Sequence, residues 1–295
     1  MSQGDSYALL SGFFWSISVV LMRVSGHSIP PIPLTFFKST VAIICFAVAS
    51  PLLGEPLIPE LSANEYFRLC ASAVLGITIA DTLIAAALNR LGASMQALAD
   101  CIYAPAMAVI GFLMFQEQLS TWEILGGTIV VSGVVIGMGL SAEVTSRRQL
   151  YTGVLLAASA HVIMAVGILM VRDIYSEISV VWVSGFRFLV ATLALGGFAS
   201  FRFREQKLLL GFQRRDTWKT MLPMAILGPF LATIFWVAGF KYSTAGRAAI
   251  FNQLSTVFII VLAYFFLKEK LSKRKWIGVG LALLGAIIVA AQSRG

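Results

Sequence analysis

Apolar residues dominate ten stretches of the chain, and charged residues are concentrated in the short segments between them. Each stretch approaches the roughly 20 residues that an α-helix needs to cross a hydrocarbon core of roughly 30 Å. A membrane-spanning strand needs only about 10 residues and alternates in polarity, so the length of the stretches favours helices. The pattern predicts ten transmembrane helices, at 7–24, 33–53, 66–88, 93–115, 123–142, 150–171, 178–201, 218–240, 245–267 and 275–291.

The composition excludes a soluble fold. Of the 295 residues, 58% are hydrophobic and only 12% are charged, and the mean hydropathy is +0.87. The net charge of +8 does not indicate a nucleic-acid partner, because the basic residues lie mostly in short loops between apolar stretches, where they determine topology. The cysteines Cys45, Cys70 and Cys101 all lie in apolar stretches without CxxC spacing, so neither a disulfide nor a metal site is predicted.

The basic residues are unequally distributed between the two sides of the membrane. Alternate connections, chiefly 202–219 and 268–275, hold most of the Lys and Arg residues. The positive-inside rule makes these connections cytoplasmic and places both termini outside. The chain is therefore expected to be an integral, multi-pass protein of a bacterial inner (plasma) membrane with periplasmic termini.

The two halves of the chain are similar to each other. At a constant offset of 152 residues, segment 89–133 aligns with segment 241–285 without a gap, and both carry Glu-x-Leu-Ser. Pairs in this register are Glu117 with Glu269, Gly126 with Gly278 and Gly133 with Gly285. Near the start of each half, an offset of 149 pairs Arg23 with Arg172 and Lys38 with Arg187. Such self-similarity indicates an internal duplication.

An odd number of spans in each copy forces the second copy to insert upside down, with a site at the interface between the copies. The predicted fold is an all-α membrane protein of two inverted five-helix repeats around a central cavity. The repeats are 1–142 and 150–295, and 143–149 is the linker. Glycines seven residues apart in the fifth and tenth helices predict close packing of these helices, with each other or across a homodimer.

Several of these residues together resemble the EamA family of the drug/metabolite transporter superfamily. They are Trp15 with Arg23, Pro33 followed by Phe37-Lys38, Pro105, and Glu117-Gln-Leu-Ser followed by Gly126 and Gly133. The resemblance covers nearly the whole chain. It implies two inverted repeats, a cavity lined by the first four helices of each repeat, and export. Ser16, Lys38 and Val257 depart from the family's usual Gly, Arg and Pro. The family's cargo ranges from amino acids to organic cations, so the resemblance implies only a class of substrate.

Four ionisable residues lie within the predicted spans, namely Lys38, Asp81, Asp100 and Arg187. A charge at the bilayer centre costs at least roughly 2.5–3.5 kcal/mol, so each should face the interior of the bundle. In one interpretation, Lys38 forms a buried ion pair with Asp100 or Asp81, and Arg187 is satisfied by backbone carbonyls and by Asn252 or Gln253. In the other, Asp81 or Asp100 is a surplus carboxylate that exchanges a proton against substrate.

Further polar and aromatic residues extend this candidate site. His161 is expected either to relay protons, since imidazole titrates near neutral pH, or to hydrogen-bond a neighbouring helix as a neutral ring. Arg187 and Lys38 are candidates for holding a carboxylate or phosphate. Aromatic side chains that either stack on a ligand or pack structurally are Trp15, Tyr103, Phe235 and Trp236. Pro223 and Gly228-Pro229 predict a bend or break in the eighth helix.

The sequence gives no indication of ATP-driven pumping or enzyme chemistry. It lacks GxxxxGK[ST], GxSxG and HExxH, and no cofactor is predicted. We predict a secondary transporter that exports a small polar or amphipathic metabolite by alternating access, with membrane lipids around it and the proton as candidate coupling ion. The alternative is a lipid-handling, flippase-like protein or a non-transporting assembly protein on the same fold. A lipid-handling protein is expected to have an apolar cavity with charge at one end.

Overall fold

The computed structural model describes residues 2–54, 58–137, 144, 146–202, 208–268 and 272–291, and all regular secondary structure in them is helical. The main helices are α1 (Gln3–Gly26), α2 (Pro31–Leu52), α3 (Ala63–Leu91), α4 (93–115), α5 (Thr121–Gly137), α6 (Arg147–Leu169), α7 (Val180–Arg202), α8 (Arg215–Lys241), α9 (Ala245–Phe266) and α10 (Lys273–Ala291). Short helices at Arg172–Glu177 and Leu210–Gln213 lie in connections. Glu269 and residues 138–142 of the predicted fifth span lie outside the described residues.

Within this part of the chain, seven helices are long and apolar enough to cross a membrane, namely α1, α2, α3, α6, α7, α8 and α9. Shorter apolar segments lie in α4, at Ala106–Phe115, and in α10, at Trp276–Gly285. Large apolar side chains cover the outside of the bundle, for example Leu155 and Leu193, each 67% exposed. Such a surface is suited to lipid and unsuited to water.

Local sequence determines where several helices begin and end. Ser2 and Asp5 form a capping box at the start of α1, and Ser62 and Glu65 form another at the start of α3. Each box satisfies two backbone N–H groups that the first turn leaves without helical partners. Gly92 ends α3 with a φ of +76°, a conformation that favours glycine.

The helices of the two halves are interrupted at equivalent positions. In α3 a π-helical segment covers Val74–Ile79, and in α8 another covers Ile226–Ala232, which begins 152 residues later. In α4 a 3₁₀ turn begins at Asp100, and α9 is interrupted directly after Asn252, the residue 152 positions after Asp100. Gly228 and Pro229, which predict a break in the eighth helix, lie inside the α8 segment. π-helical turns are rare and frequently mark functional sites.

The most extensive helix packings join one half of the chain to the other. α1 packs on α8 and α9, α6 packs on α3 and α4, α2 packs on α7, and α5 packs on α10. One glycine permits each of two of these crossings. Gly228 of the α8 segment meets Ser18 of α1, and Gly167 of α6 meets the backbone of Gly76 in the α3 segment. Ser18 and Gly167 are 149 residues apart, so the two crossings are equivalent in the two halves.

The packing of α5 on α10 gives a direct test of the fold. A Cβ at Gly285 would overlap the carbonyl oxygen of Gly126 and lie 2.9 Å from the backbone nitrogen of Val130. Gly285→Ala should therefore destabilise the protein by about 1–3 kcal/mol, measured by thermal unfolding in detergent. Gly280→Ala on the same helix is the control, because a Cβ there meets nothing within 4 Å. Equal stability of the two variants would contradict this packing.

The buried glycines of α5 and α10 are thus used for contact within one chain. The homodimer through these helices stays a prediction. Exposed apolar residues on these helices include Trp122, Ile136, Trp276 and Ile287.

Candidate functional site

A cavity of about 820 Å³, including its open mouth, lies between the two halves of the chain. Within the described residues its lining comes from α1–α4, from α6–α9 and from the interruption of α9, and none comes from α5 or α10. Ten of the eleven candidate residues identified from the sequence line it, namely Trp15, Lys38, Asp81, Asp100, Tyr103, His161, Arg187, Trp236, Asn252 and Gln253.

The interrupted parts of the helices face this cavity. Gly76 and Pro229 of the π-helical segments are among its lining residues, as is Asp100 of the 3₁₀ turn. Two serines of α1 satisfy carbonyls beside the α8 segment. Ser11 Oγ donates to Ala232 O at 3.0 Å, and Ser18 Oγ donates to Met224 O at 2.9 Å. Irregular backbone at membrane depth is tolerated where it lines a cavity and where side chains satisfy the freed carbonyls.

Lys38 and Asp81 form a buried ion pair beside the cavity. Lys38 Nζ donates to Asp81 Oδ2 at 2.6 Å, and the two side chains are 2% and 10% exposed. The centroid of the Trp15 ring lies 5.9 Å from Lys38 Nζ, within range of a cation–π interaction. Asp81 and Asp100 were the two expected partners of Lys38, and in the structure the partner is Asp81.

Asp100 has no permanently charged partner among the described residues. Its Oδ1 accepts a hydrogen bond from Gln96 Nε2 and lies 2.6 Å from His161 Nε2. The Nδ1 of His161 is buried and has no hydrogen-bond partner in the described part of the chain. A carboxylate and an imidazole in contact form a pair that can hold or release a proton. Both expectations for His161, relay or neutral hydrogen bonding, remain compatible with this contact.

Arg187 is nearly fully buried, at 1% exposed, and its Nε has no hydrogen-bond partner in the part of the chain that the structure describes. The expected pairing with Asn252 or Gln253 is wrong. The amide of Gln253 donates to Thr256 Oγ1 at 2.9 Å, within the interruption of α9, and Asn252 Oδ1 is buried without a partner among the described residues. The guanidinium instead lies against Gly76 of the α3 π-helical segment.

Aromatic side chains form part of the cavity wall. The phenol oxygen of Tyr103 accepts a hydrogen bond from Trp236 Nε1 at 2.6 Å, and the Tyr103 ring lies edge-on to His161. Phe235, the fourth aromatic candidate, does not line the cavity. Its ring stacks on Phe14 of α1 at a centroid distance of 5.7 Å, which is structural packing.

A charged cluster lies where α1 begins and α6 ends, and sequence reasoning missed it as a structural unit. Arg172 pairs with Glu117 and donates to Ser243 O at 3.1 Å. Glu117 also accepts from the backbone nitrogen of Ala245 at 3.0 Å, at the start of α9. Glu117 and Arg172 are evident in the sequence only as markers of the duplication. The available signal was that each recurs in the other half, Glu117 as Glu269 and Arg172 as Arg23.

The same end of the bundle holds a second part of this cluster. Arg247 donates to both carboxylate oxygens of Asp5, at 2.8 and 3.0 Å, and lies 3.5 Å from Glu123. These contacts join the starts of α1, α5 and α9. We call the set Asp5, Glu117, Glu123, Arg172 and Arg247 the terminal cluster.

The connection after α6 carries two groups with shifted pKa values. Arg68 donates to both carboxylate oxygens of Asp173, and this hydrogen bonding lowers the pKa of Asp173. Burial raises the pKa of Tyr175, so this phenol stays neutral. In the described part of the chain, no group of three or more His, Cys, Asp and Glu side chains is placed to hold a metal ion.

The described chain is a multi-pass helical membrane protein whose cavity, lined by ionisable and aromatic side chains, lies between two similar halves. The model of the EamA-like transporter family matches residues 2–138 and 151–291. The chain therefore belongs to the EamA-like transporter family, whose domain it contains twice, and the resemblance inferred from the sequence is confirmed.

Several known proteins are similar to the chain. The "Uncharacterized transporter YetK" of Bacillus subtilis (strain 168) is 30% identical over 48% of this chain and 42% of its own length. The "Uncharacterized inner membrane transporter YhbE" of Escherichia coli (strain K12) is 24% identical over 48% of this chain and 44% of its own. The chain thus spans less than half the length of these relatives. A solved crystal structure shares the fold, with a TM-score of 0.80, 16% identity and 99% coverage of both chains.

Proposed function

We propose that the protein is a secondary transporter that exports a small polar or amphipathic metabolite by alternating access. The observation that carries this proposal is the cavity between the halves, which is lined by ionisable side chains from both. The equivalent helix interruptions and crossings support an arrangement of ten membrane helices in two inverted repeats, 1–142 and 150–295, with the cavity at their interface. By analogy with YhbE and by the positive-inside rule, we place the protein in an inner membrane with its termini outside.

The distribution of charge favours a metabolite over a lipid as cargo. Lys38, Asp81 and Asp100 line the cavity from the first half, while His161 and Arg187 line it from the second. Polar groups therefore surround the space on several sides. The lipid-handling alternative would be favoured by an apolar cavity with charge at one end only.

The Asp100–His161 contact is the proposed site of proton coupling. Asp81 is neutralised by Lys38 at 2.6 Å, which makes Asp100 the surplus carboxylate of the cavity. Its contact with a histidine lets the pair change its proton content during the transport cycle. The proton is thereby the proposed coupling ion.

The terminal cluster is the proposed closure of one end of the cavity. Its ion pairs connect the loop between α4 and α5 with the short helix Arg172–Glu177, and connect α9 with α5 and with the start of α1. Opening this end separates these helices, so the ion pairs must break and reform in each cycle. Interfaces of this kind switch between discrete arrangements, as alternating access requires.

Metabolomics of spent medium tests the proposed function. Cells that overexpress the protein should accumulate one or a few small metabolites in the medium, and cells without it should retain them. The compound so identified is then exchanged across liposomes that contain the purified protein, with and without a pH gradient. Empty liposomes are the control. Lipid scrambling by the purified protein without exchange of any solute would contradict the proposal and favour the flippase-like alternative.

A further inference from the structure

Arg187 presents a positive charge to the cavity without a bound anion. Among the described residues, no carboxylate lies within 4.0 Å of its guanidinium, and no hydrogen bond holds its buried Nε. Asp81 and Tyr175 are the titratable groups that act on it electrostatically. Asp81 is bound to Lys38, and Tyr175 is neutral. A buried charge without a partner is strongly unfavourable, so its retention in a cavity wall indicates a ligand of opposite charge.

We propose that the cavity binds a small organic carboxylate, with its carboxylate on Arg187. This inference rests on the proposed function and specifies the class of its substrate. The charge of Asp81 is compensated by Lys38, and Asp100 contacts Gln96 and His161 instead of Arg187. One negative charge therefore neutralises Arg187. A guanidinium matches the planar, two-oxygen geometry of a carboxylate. The rings of Trp15, Tyr103 and Trp236 accept the apolar part of the ligand.

Gly76 positions this guanidinium. An added Cβ at residue 76 would lie 2.9 Å from Arg187 Nη2, and no other atom outside the local helix would lie within 4 Å of it. The missing side chain lets the guanidinium lie against the backbone of the π-helical segment. Gly76→Ala therefore displaces the charge without removing it and without disturbing another contact.

The test measures binding to the purified full-length protein in nanodiscs of zwitterionic lipid, which keeps anionic lipid headgroups from the site. The probes are benzoate and its neutral counterpart benzamide, with phenyl phosphate as a doubly charged comparison. Dissociation constants come from equilibrium dialysis. We expect benzoate to bind about 10-fold or more tightly than either comparison. Arg187→Gln should weaken benzoate binding about 10- to 100-fold, as loss of a charge-assisted hydrogen bond does, and leave benzamide unaffected.

Two further variants separate recognition from folding. Gly76→Ala should weaken benzoate binding by a smaller factor than Arg187→Gln. Arg90→Gln removes an exposed cation outside the cavity and should change nothing. Arg187→Gln should melt no lower than the parent protein, because it removes an unpaired buried charge. A lower melting temperature together with equal loss of benzoate and benzamide binding would assign Arg187 a structural role and overturn the proposal.

The other outcomes also decide. The inference is overturned if benzoate binding survives Arg187→Gln. It is also overturned if the parent protein does not bind benzoate about 10-fold more tightly than benzamide. Transport of a neutral or cationic metabolite that Arg187→Gln leaves intact overturns the carboxylate assignment but leaves the transporter standing. Arg187-dependent benzoate binding by a protein that exchanges no solute supports the anion site and contradicts the transporter.

Discussion

Asp81→Asn should destabilise the protein by about 3–5 kcal/mol, the cost of leaving one member of a buried ion pair without its partner. Lys38 is 2% exposed and its Nζ lies 2.6 Å from Asp81, so neither water nor another described carboxylate can replace the lost charge. The measurement is thermal unfolding of purified protein in detergent. The double variant Lys38→Met/Asp81→Leu should recover most of the loss, because it removes both charges and retains apolar volume.

An exposed ion pair provides the matched control for this prediction. Asp173 binds Arg68, but its side chain is 55% exposed, and pairs of this kind contribute about 0–1 kcal/mol. Asp173→Asn should therefore change the stability little. If Asp81→Asn and Asp173→Asn changed the stability equally little, the Lys38–Asp81 pair would have to be accessible to water rather than buried.

Asp100→Asn should abolish the pH dependence of transport, measured as counter-transport in liposomes between pH 5.5 and 8. The variant retains a side chain that can hydrogen-bond Gln96 and His161, and it removes the carboxylate that exchanges a proton. Uptake driven by a pH gradient should fall about 10- to 100-fold, as expected when a charge-assisted hydrogen bond worth about 1.5–3 kcal/mol is lost. Exchange without a gradient should persist.

His161→Gln is the companion variant, because glutamine can donate to Asp100 but cannot titrate. We expect its pH profile to shift while gradient-driven uptake is reduced less than in Asp100→Asn. Full activity of Asp100→Asn with an unchanged pH profile would exclude Asp100 from coupling. It would assign the Asp100–His161 contact to packing of α4 against α6.

The apolar stretches predicted the helices to within a few residues at most ends, since helix length and hydrophobicity are properties of the segment itself. The interruptions were only half predictable. Pro229 and Gly228 indicated the break in α8, but the equivalent segment of α3, Val74–Ile79, contains no proline. This segment lies in a close crossing of Gly76 with Gly167 of α6, which only the packed structure reveals.

The sequence predicted which residues form the candidate site, but it did not predict which of them contact each other. Charge at membrane depth was enough to single out Lys38, Asp81, Asp100 and Arg187, because lipid does not tolerate it. Which acid meets Lys38 depends on the rotation of α3 and on the 3₁₀ turn of α4, neither of which follows from hydrophobic periodicity. The contact of Asp100 with His161 joins two halves of the chain, so no local pattern reports it.

The matched π-helical segments show which features the two halves share and which they do not. A π-helical turn holds one residue more than the α-helical turn that it replaces, and such a segment begins at the same register position in both halves. Asp81 and Asp100 correspond in this register to Thr233 and Asn252. Within the described lining of the cavity, the two halves therefore repeat the backbone geometry, whereas the carboxylates come from the first half alone.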